Sequence, residues 1–299
     1  MNIAILGSTG MIGSAATFYL SSLGHSVIEV NRKGISVTGE NEVHKFDVLK
    51  DSVNRLLNSL PSDTIVVNLI GVIRHKIEIS SKESLSQAKN VNSDFPKLLV
   101  QGAHELNLHV IQIATDCIFS GESGAYSEDS KINPVDIYGE TKAAGEMAAS
   151  NLLTLRVSVV GREVKDHIEL MDWVITQPPN NAVNGFNNHF WNGITSLHFA
   201  KILAGILKNG FSARGTFHLI PTGAVNKLEL IQIIAELSGR NDLKIIETAA
   251  EKPIDRTLRT NSNEINAEFW KSAGYQVIPT IRMMLEEYFG WIKPIDQGE

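Results

Sequence analysis

Tyr138 and Lys142 are the residues whose types and spacing most directly indicate chemistry. Side chains four residues apart on a helix share one face. An ammonium beside a phenol stabilises the phenolate and lowers a pKa that is otherwise about 10, so such a tyrosine can exchange a proton with a carbonyl or an alcohol near neutral pH. We expect Thr115, at the end of an apolar run, to hydrogen-bond the substrate oxygen and hold it beside Tyr138.

A Tyr and a Lys four residues apart are common by chance, and the glycine-rich segment near the start of the chain is a second feature that supports an active site. Gly7-Ser8-Thr9-Gly10-Met11-Ile12-Gly13 follows an apolar run and opens a helical pattern. Glycines let the backbone approach a pyrophosphate closely, and the free amides of a helix N-terminus face that anion. The segment therefore predicts a dinucleotide site formed by Gly7, Thr9, Gly10, Met11, Ile12 and Gly13.

Further cofactor contacts are expected where later strands end. Asn31-Arg32-Lys33 stands where many NAD-specific proteins carry an acidic residue, and a guanidinium suits a 2′-phosphate. We therefore predict NADPH in preference to NADH, with a solvated basic turn as the alternative reading of this segment. The other residues assigned to the cofactor, with Tyr138 and Lys142, are Asn31, Arg32, Asp47, Val48, Leu69, Ile70, Gly71 and Asn92.

These residues must be positioned by an alternation of strands and helices that runs through the first 160 residues. Strands are predicted at 2–6, 26–30, 43–46, 64–70, 108–114 and 152–160, and helices at 11–23, 51–60, 81–106 and from 133 to about 150. Near-continuously apolar strands in such an alternation indicate a parallel sheet covered on both faces. We predict an α/β, Rossmann-type doubly wound domain over 1–160. A smaller α/β substrate domain is predicted over 161–299, with a helix near 197–208 that packs back on the first domain.

Composition limits the classes of partner. The 299 residues are 43% hydrophobic and 20% charged, which predicts a packed core. A net charge of −6 without a Lys/Arg run argues against a nucleic-acid or membrane partner. Cys117 is the single cysteine, and from the first residues and the lack of a long apolar run we expect neither a signal peptide nor a transmembrane helix. We expect a cytoplasmic protein, and the histidine spacing predicts no metal site.

The segments GSTGMIG, VVNLIGVI and ATDCIFSGESGAYSEDSKINPVDIYGETKAAGE resemble the short-chain dehydrogenase/reductase superfamily. More narrowly, they resemble dTDP-4-dehydrorhamnose reductases and their sugar-nucleotide-binding relatives over about residues 1–165. The resemblance implies reduction of a 4-keto-6-deoxy nucleotide sugar by NADPH or NADH, for cell-surface polysaccharide synthesis. It implies that Tyr138 protonates the oxygen, Lys142 tunes Tyr138 and Thr115 polarises the carbonyl. It is also compatible with a homodimer.

The sugar pocket departs from the family pattern. Cys117 replaces the family tyrosine, and the chain reads Ser158-Val159-Val160-Gly161 where S-W-V-Y-G is usual. In the second domain a polar, aromatic loop suits a sugar or base, and a cation near residue 256 suits a diphosphate. The alternative interpretation is that this cation lies in an ordinary charged surface turn. The residues assigned to substrate are Asp116, Cys117, Asn188, Trp191 and Arg256.

Two other functions stay open at this point. One is a nucleotide-sugar epimerase with tightly bound NAD. The other is a non-catalytic NAD(P)-binding subunit that has kept the fold, against which the intact Tyr138 and Lys142 argue. A dehydratase is less well supported, because Thr115 is followed by Asp116-Cys117 rather than by an acid pair.

Overall fold

The computed structural model describes residues 2–164, 166–210 and 213–296. Its strands in chain order are β1 Asn2–Leu6, β2 Ser26–Asn31, β3 Glu42–Lys45, β4 Ile65–Asn68, β5 His109–Ala114, β6 Leu152–Arg156, β7 Val159–Val160, β8 Ala182–Phe186, β9 His189–Trp191, β10 Ile194–Thr195, β11 Gly215–His218, β12 Val225–Asn226, β13 Lys244–Thr248 and β14 Ile254–Asp255. Most of the first six are built from aliphatic, often β-branched residues, which suit a pleated surface buried on both faces.

The helices cover both faces of the sheet. They are α1 Met11–Ser22, α2 Val53–Asn58, α3 Lys82–Lys89, α4 Phe95–Glu105, α5 Ile137–Ala144, α6 Leu170–Ile175, α7 Ser196–Asn209, α8 Lys227–Leu237, α9 Asn263–Ser272 and α10 Ile281–Asp296. Residues Asn90–Asp94 form a π-helical turn between α3 and α4. The long helix predicted over 81–106 is therefore widened in its middle, as often happens near functional sites.

The main sheet has the order β3-β2-β1-β4-β5-β6-β11, and every neighbouring pair is parallel. The chain moves outwards from β1 to β3 and then returns to β4 on the other side. Ligands of such sheets bind beyond the carboxyl ends of the strands at this change of direction. Gly7 and Ile70 lie just beyond β1 and β4. The predicted Rossmann-type doubly wound fold is confirmed.

Two predicted elements were too long. The helix predicted from 133 to about 150 is only α5: it begins after Asp136, whose side chain accepts from the Gly139 amide at 2.9 Å, and it ends at Ala144. The segment after Gly145 is non-helical. The strand predicted over 152–160 is divided, because β7 leaves the main sheet and pairs with β10.

Elements from the second half of the chain pack onto the sheet and helices formed by the first half. Strand β11 forms the edge of the main sheet beside β6, and α7 packs on α1. The main sheet therefore includes residues on both sides of position 160, where the regular alternation of strands and helices predicted from the sequence ends. The remaining strands form small sheets, β12-β9-β14 and β13-β8, with α8 packed beside them. None of the described helices is long and apolar enough to cross a membrane.

Candidate active site

The glycine turn after β1 has the geometry of an anion cradle. A Cβ at Gly13 would lie 2.1 Å from the Gly7 carbonyl oxygen, and Gly7 itself has a φ of +88°. Glycine is therefore required at both positions. Gly10 caps α1 and brings no side chain to bond the first amides of the helix. The turn thus fits a pyrophosphate group held by backbone amides.

Two residues at the end of β2 and just after it, Asn31 and Arg32, have different roles. The buried Asn31 amide donates to Ser8 Oγ at 3.0 Å and to the Ile35 carbonyl at 2.9 Å, and its oxygen accepts from the Gly34 amide at 2.9 Å. Asn31 therefore shapes the turn with its side chain. Arg32 is exposed, and within the described residues its guanidinium has no bonding partner. That cation fits the expected 2′-phosphate.

The other predicted cofactor residues also lie at the carboxyl edge. Leu69 and Ile70 pass against Gly7, where a Cβ would lie 3.2 Å from the Ile70 nitrogen. The Asp47 carboxylate accepts from the Leu49 amide at 3.0 Å and so shapes its own loop. Thr9, Val48 and Gly71 belong to the same loops, and Met11 and Ile12 are the first residues of α1.

Asn92 ties two of these parts together. From the π-helical turn, its side chain accepts from the Val72 amide at 2.8 Å and donates to the Val72 carbonyl at 2.9 Å. It also donates to Thr141 Oγ1 at 3.1 Å. Asn92 is buried and therefore fixes the loop after Gly71 relative to α5, next to Lys142.

Thr115, Tyr138 and Lys142 meet at the carboxyl end of β5. The Thr115 hydroxyl donates to the Asp116 carboxylate at 3.2 Å and accepts from the Cys117 amide at 3.2 Å. It lies close enough to the Tyr138 phenol to oppose the rise in that phenol's pKa. Lys142 is 8% exposed, and its ammonium donates to the Ile113 carbonyl at 3.1 Å. The structure thus brings the three predicted catalytic residues together.

The protonation states differ from the sequence prediction in one respect. Burial raises the pKa of Tyr138, and the negative forms of Cys117 and Asp116 raise it further. The predicted lowering of the Tyr138 pKa is wrong for this structure, because burial and these neighbouring groups outweigh the lowering influence of Thr115. Burial also lowers the pKa of Lys142 to about 8, against the opposing charge of Glu146. At neutral pH the phenol therefore holds its proton, which is the form that a proton donor needs.

Arg256 lies beside the catalytic segment. Its Nε donates to the Phe119 carbonyl at 3.0 Å, and its Nη1 is 3.9 Å from Cys117 Sγ. Burial raises the pKa of Asp116, and the Arg256 charge opposes that rise. Burial and then Asp116 raise the pKa of the Cys117 thiol to about 12. Cys117 therefore stays a thiol at neutral pH and is a poor nucleophile.

Asn188 and Trp191 make their contacts away from this group. The Asn188 side chain donates to the Ala250 carbonyl at 2.8 Å and accepts from the Ala250 amide at 2.9 Å. Trp191 is 6% exposed, and its Nε1 donates to Ser158 Oγ at 2.8 Å. Both side chains thus organise the second region, and their predicted contact with substrate stays a prediction.

Sequence reasoning missed Lys227 and Glu169. Lys227 is the first residue of α8, after a capping box between Asn226 and Glu229. Burial lowers the pKa of Lys227, while Asp116, Cys117 and Glu169 raise it, so its cation faces the catalytic segment. An Asn three residues before a Glu, as in Asn226 and Glu229, is a local sequence signal for the start of a helix. No local sequence pattern indicated that the Lys227 side chain would lie near the catalytic segment, and none indicated a role for Glu169.

Comparisons with known proteins agree with this arrangement. The family model described as the RmlD substrate binding domain matches residues 1–292. A dTDP-4-keto-6-deoxy-D-glucose reductase of Streptomyces niveus is 22% identical over 277 residues, covering 90% of each chain. A dTDP-4-dehydrorhamnose reductase of Streptomyces griseus is 24% identical over 294 residues, covering 95% of this chain and 92% of the other.

A solved structure shows the same fold. The dTDP-4-dehydrorhamnose reductase of Bacillus anthracis str. Ames in complex with NADP aligns with a TM-score of 0.76 at 16% identity. The alignment covers 97% of this chain and 99% of that one. At this identity the likeness establishes the architecture.

Proposed function

The chain belongs to the RmlD substrate binding domain family, and on that premise we propose that it is an NADPH-dependent reductase of a dTDP-linked 4-keto-6-deoxy sugar. The junction of Thr115, Tyr138 and Lys142 beside the glycine turn carries the proposal. The reductases named among its relatives support the substrate class. The natural setting of this chemistry is cell-surface polysaccharide synthesis.

The chain's residues divide the reaction between them. When bound, the nicotinamide supplies a hydride to the C4 carbon. Thr115 polarises the carbonyl by hydrogen-bonding its oxygen, and Tyr138 gives its proton to that oxygen, which becomes the hydroxyl of the product. The Lys142 ammonium stabilises the phenolate that Tyr138 leaves behind.

Arg32 supports NADPH over NADH. We predict that Arg32→Ala weakens NADPH binding about tenfold and leaves NADH binding within about twofold, because the lost contact is to the 2′-phosphate. Fluorescence titration of both nucleotides measures this. Lys33→Ala removes the neighbouring exposed cation and is the matched control. Equal losses for the two nucleotides in Arg32→Ala would contradict the assignment.

The direct test is NADPH and NADH oxidation with a panel of 4-keto-6-deoxy nucleotide sugars. Turnover with a dTDP-linked member supports the proposal and identifies the sugar. An isomerised product with NAD retained through purification would instead support an epimerase. Cofactor binding without turnover across the panel would support a non-catalytic subunit.

Location and assembly follow as further parts of the proposal. A cytoplasmic setting accords with the single cysteine and with a nucleotide-sugar substrate. The net charge of −6 supports our expectation that neither nucleic acid nor a membrane is a partner. A homodimer is proposed from the resemblance, and sedimentation of the purified chain tests it.

A further inference from the structure

A row of polar side chains crosses the main sheet beneath the catalytic residues. Asn68 on β4, Gln112 on β5 and Thr154 on β6 are paired in register. Two residues earlier, the same face carries the apolar row Val66, Val110 and Leu152. Asn68 is 0% exposed and Gln112 is 5% exposed. Buried amides are costly unless they are hydrogen-bonded, so this row needs a reason.

The two amides form a chain of hydrogen bonds that ends at Lys142. The Ile70 amide donates to Asn68 Oδ1 at 3.1 Å, and Asn68 Nδ2 donates to Gln112 Oε1 at 2.8 Å. Gln112 Nε2 then donates to the Ile113 carbonyl at 2.9 Å. The Lys142 ammonium donates to the same oxygen at 3.1 Å. The chain therefore joins the backbone beside the glycine turn to the catalytic ammonium.

This geometry restricts where the ammonium can lie. A lysine side chain is long and flexible, while a carbonyl oxygen offers two acceptor sites. Gln112 takes one site on the Ile113 oxygen, which leaves the other for Lys142. Asn68 holds the Gln112 amide in place by bonding its oxygen. In a buried setting such linked bonds strengthen one another.

We propose that Gln112, held by Asn68, is a positioning residue for Lys142. It fixes the anchor of the ammonium on the Ile113 carbonyl and ties that anchor to the backbone at Ile70, which lines the cofactor site. Gln112 touches neither substrate nor cofactor and acts through Lys142. The effect on turnover rests on the proposed function, whereas the effect on Lys142 itself does not.

The first experiment measures the pKa of Lys142 by NMR of protein carrying 13C-labelled lysine, with Lys142→Arg used for assignment. Gln112→Glu keeps the size of the side chain and its bond to Asn68, but places a carboxylate beside the ammonium. The pKa of Lys142, about 8 in the native protein, should rise by about one unit or more. Thr154→Val removes a buried hydroxyl from the same row and should leave that pKa unchanged. Thr154 Oγ1 has no hydrogen-bond partner in the described part of the chain, which makes it the matched control.

The second experiment measures kinetics with Gln112→Leu. We expect kcat to fall about tenfold, with KM for the sugar within about twofold and a melting temperature close to that of Thr154→Val. An unchanged Lys142 pKa in Gln112→Glu, or wild-type kcat in Gln112→Leu, would overturn the proposal. Should Gln112→Leu not fold, the isosteric Gln112→Glu decides. A wild type that reduces no 4-keto sugar would overturn the proposed function instead, while the titration, which needs no substrate, still decides the role of Gln112.

Discussion

Two regions of this molecule use a tyrosine and a lysine for opposite purposes. At the edge of the sheet that we propose to be catalytic, called the catalytic edge below, these are Tyr138 and Lys142. In the second region, which we call the Glu287 cluster, Lys201, Tyr275 and His198 surround Glu287 and join α7 to α10.

In the Glu287 cluster the charges and polar groups are mutually paired. The Tyr275 hydroxyl donates to Glu287 at 2.7 Å, and His198 Nε2 lies 3.2 Å from the same carboxylate. Lys201 donates to Glu287 and, at 2.8 Å, to the Tyr275 hydroxyl. Hydrogen bonds from His198, Lys201 and Tyr275 hold the pKa of Glu287 well below its usual range.

At the catalytic edge the same residue types lack such a partner. Lys142 is bonded to a neutral carbonyl, and burial lowers its pKa to about 8. Burial also keeps the proton on Tyr138. On the proposed function, a carboxylate in direct contact makes the Tyr–Lys pair of the Glu287 cluster a structural link, whereas burial without such a contact leaves Tyr138 and Lys142 free to handle a proton.

The largest effect should come from Tyr138→Phe. Removing the phenolic hydroxyl should lower kcat about 1,000-fold, because proton donation typically contributes 10²–10⁴-fold. The melting temperature and NADPH binding should stay close to those of the wild type. Tyr275→Phe is the matched control from the Glu287 cluster and should show the reverse pattern. A Tyr138→Phe enzyme with near wild-type turnover would remove the distinction between the two regions.

Lys227→Met tests whether the catalytic edge extends to α8. The cation faces Asp116, Cys117 and Glu169, on the side where Arg256 also lies. We propose that Lys227 hydrogen-bonds the anionic sugar nucleotide, so its loss should raise KM roughly 10- to 100-fold, because a hydrogen bond to a charged group contributes about 1.5–3 kcal/mol. Steady-state kinetics of the variant measures the change. Lys244→Met, on exposed β13, is the control and should leave KM unchanged.

Glu287→Gln should act on stability alone. We expect the free energy of unfolding to fall by about 1–2 kcal/mol, a value reduced because the Glu287 side chain is 39% exposed. Denaturant titration measures the loss, and turnover per folded molecule should be unchanged. Glu286→Gln, in a 3.5 Å ion pair with Arg282 on the same helix, is the control. A loss of kcat in Glu287→Gln would show that the two regions are coupled.

The smallest effects should appear at opposite ends of the pH range. The pKa of Glu287 is lower in the folded chain than in the unfolded one, so its stabilisation is present above about pH 4 and is lost as the pH falls. The Lys142 ammonium loses its proton as the pH rises through about 8, so kcat should fall there. Melting temperature and kcat, each measured against pH, test this separation. A kcat that stays flat up to pH 10 would argue against the role of Lys142.

The sequence alone determined the parts of the site that depend on neighbours along the chain. The glycine turn, the strand–helix alternation and the spacing of Tyr138 and Lys142 are local, because helix periodicity and backbone sterics act over a few residues. The fold class could be predicted for the same reason. The start of α5 could be placed only once the Asp136 cap was seen.

Only the tertiary structure decided which distant residues meet. Arg256 lies against Cys117, 139 positions away, and Lys142 is anchored on Ile113, 29 positions away. The upward shift of the Tyr138 pKa also depends on burial, which no local sequence pattern indicates. Such contacts are set by strand order, by register and by the way in which helices pack on the sheet. A sequence pattern specifies each strand and helix, whereas the packing of the whole chain selects the partners at their ends.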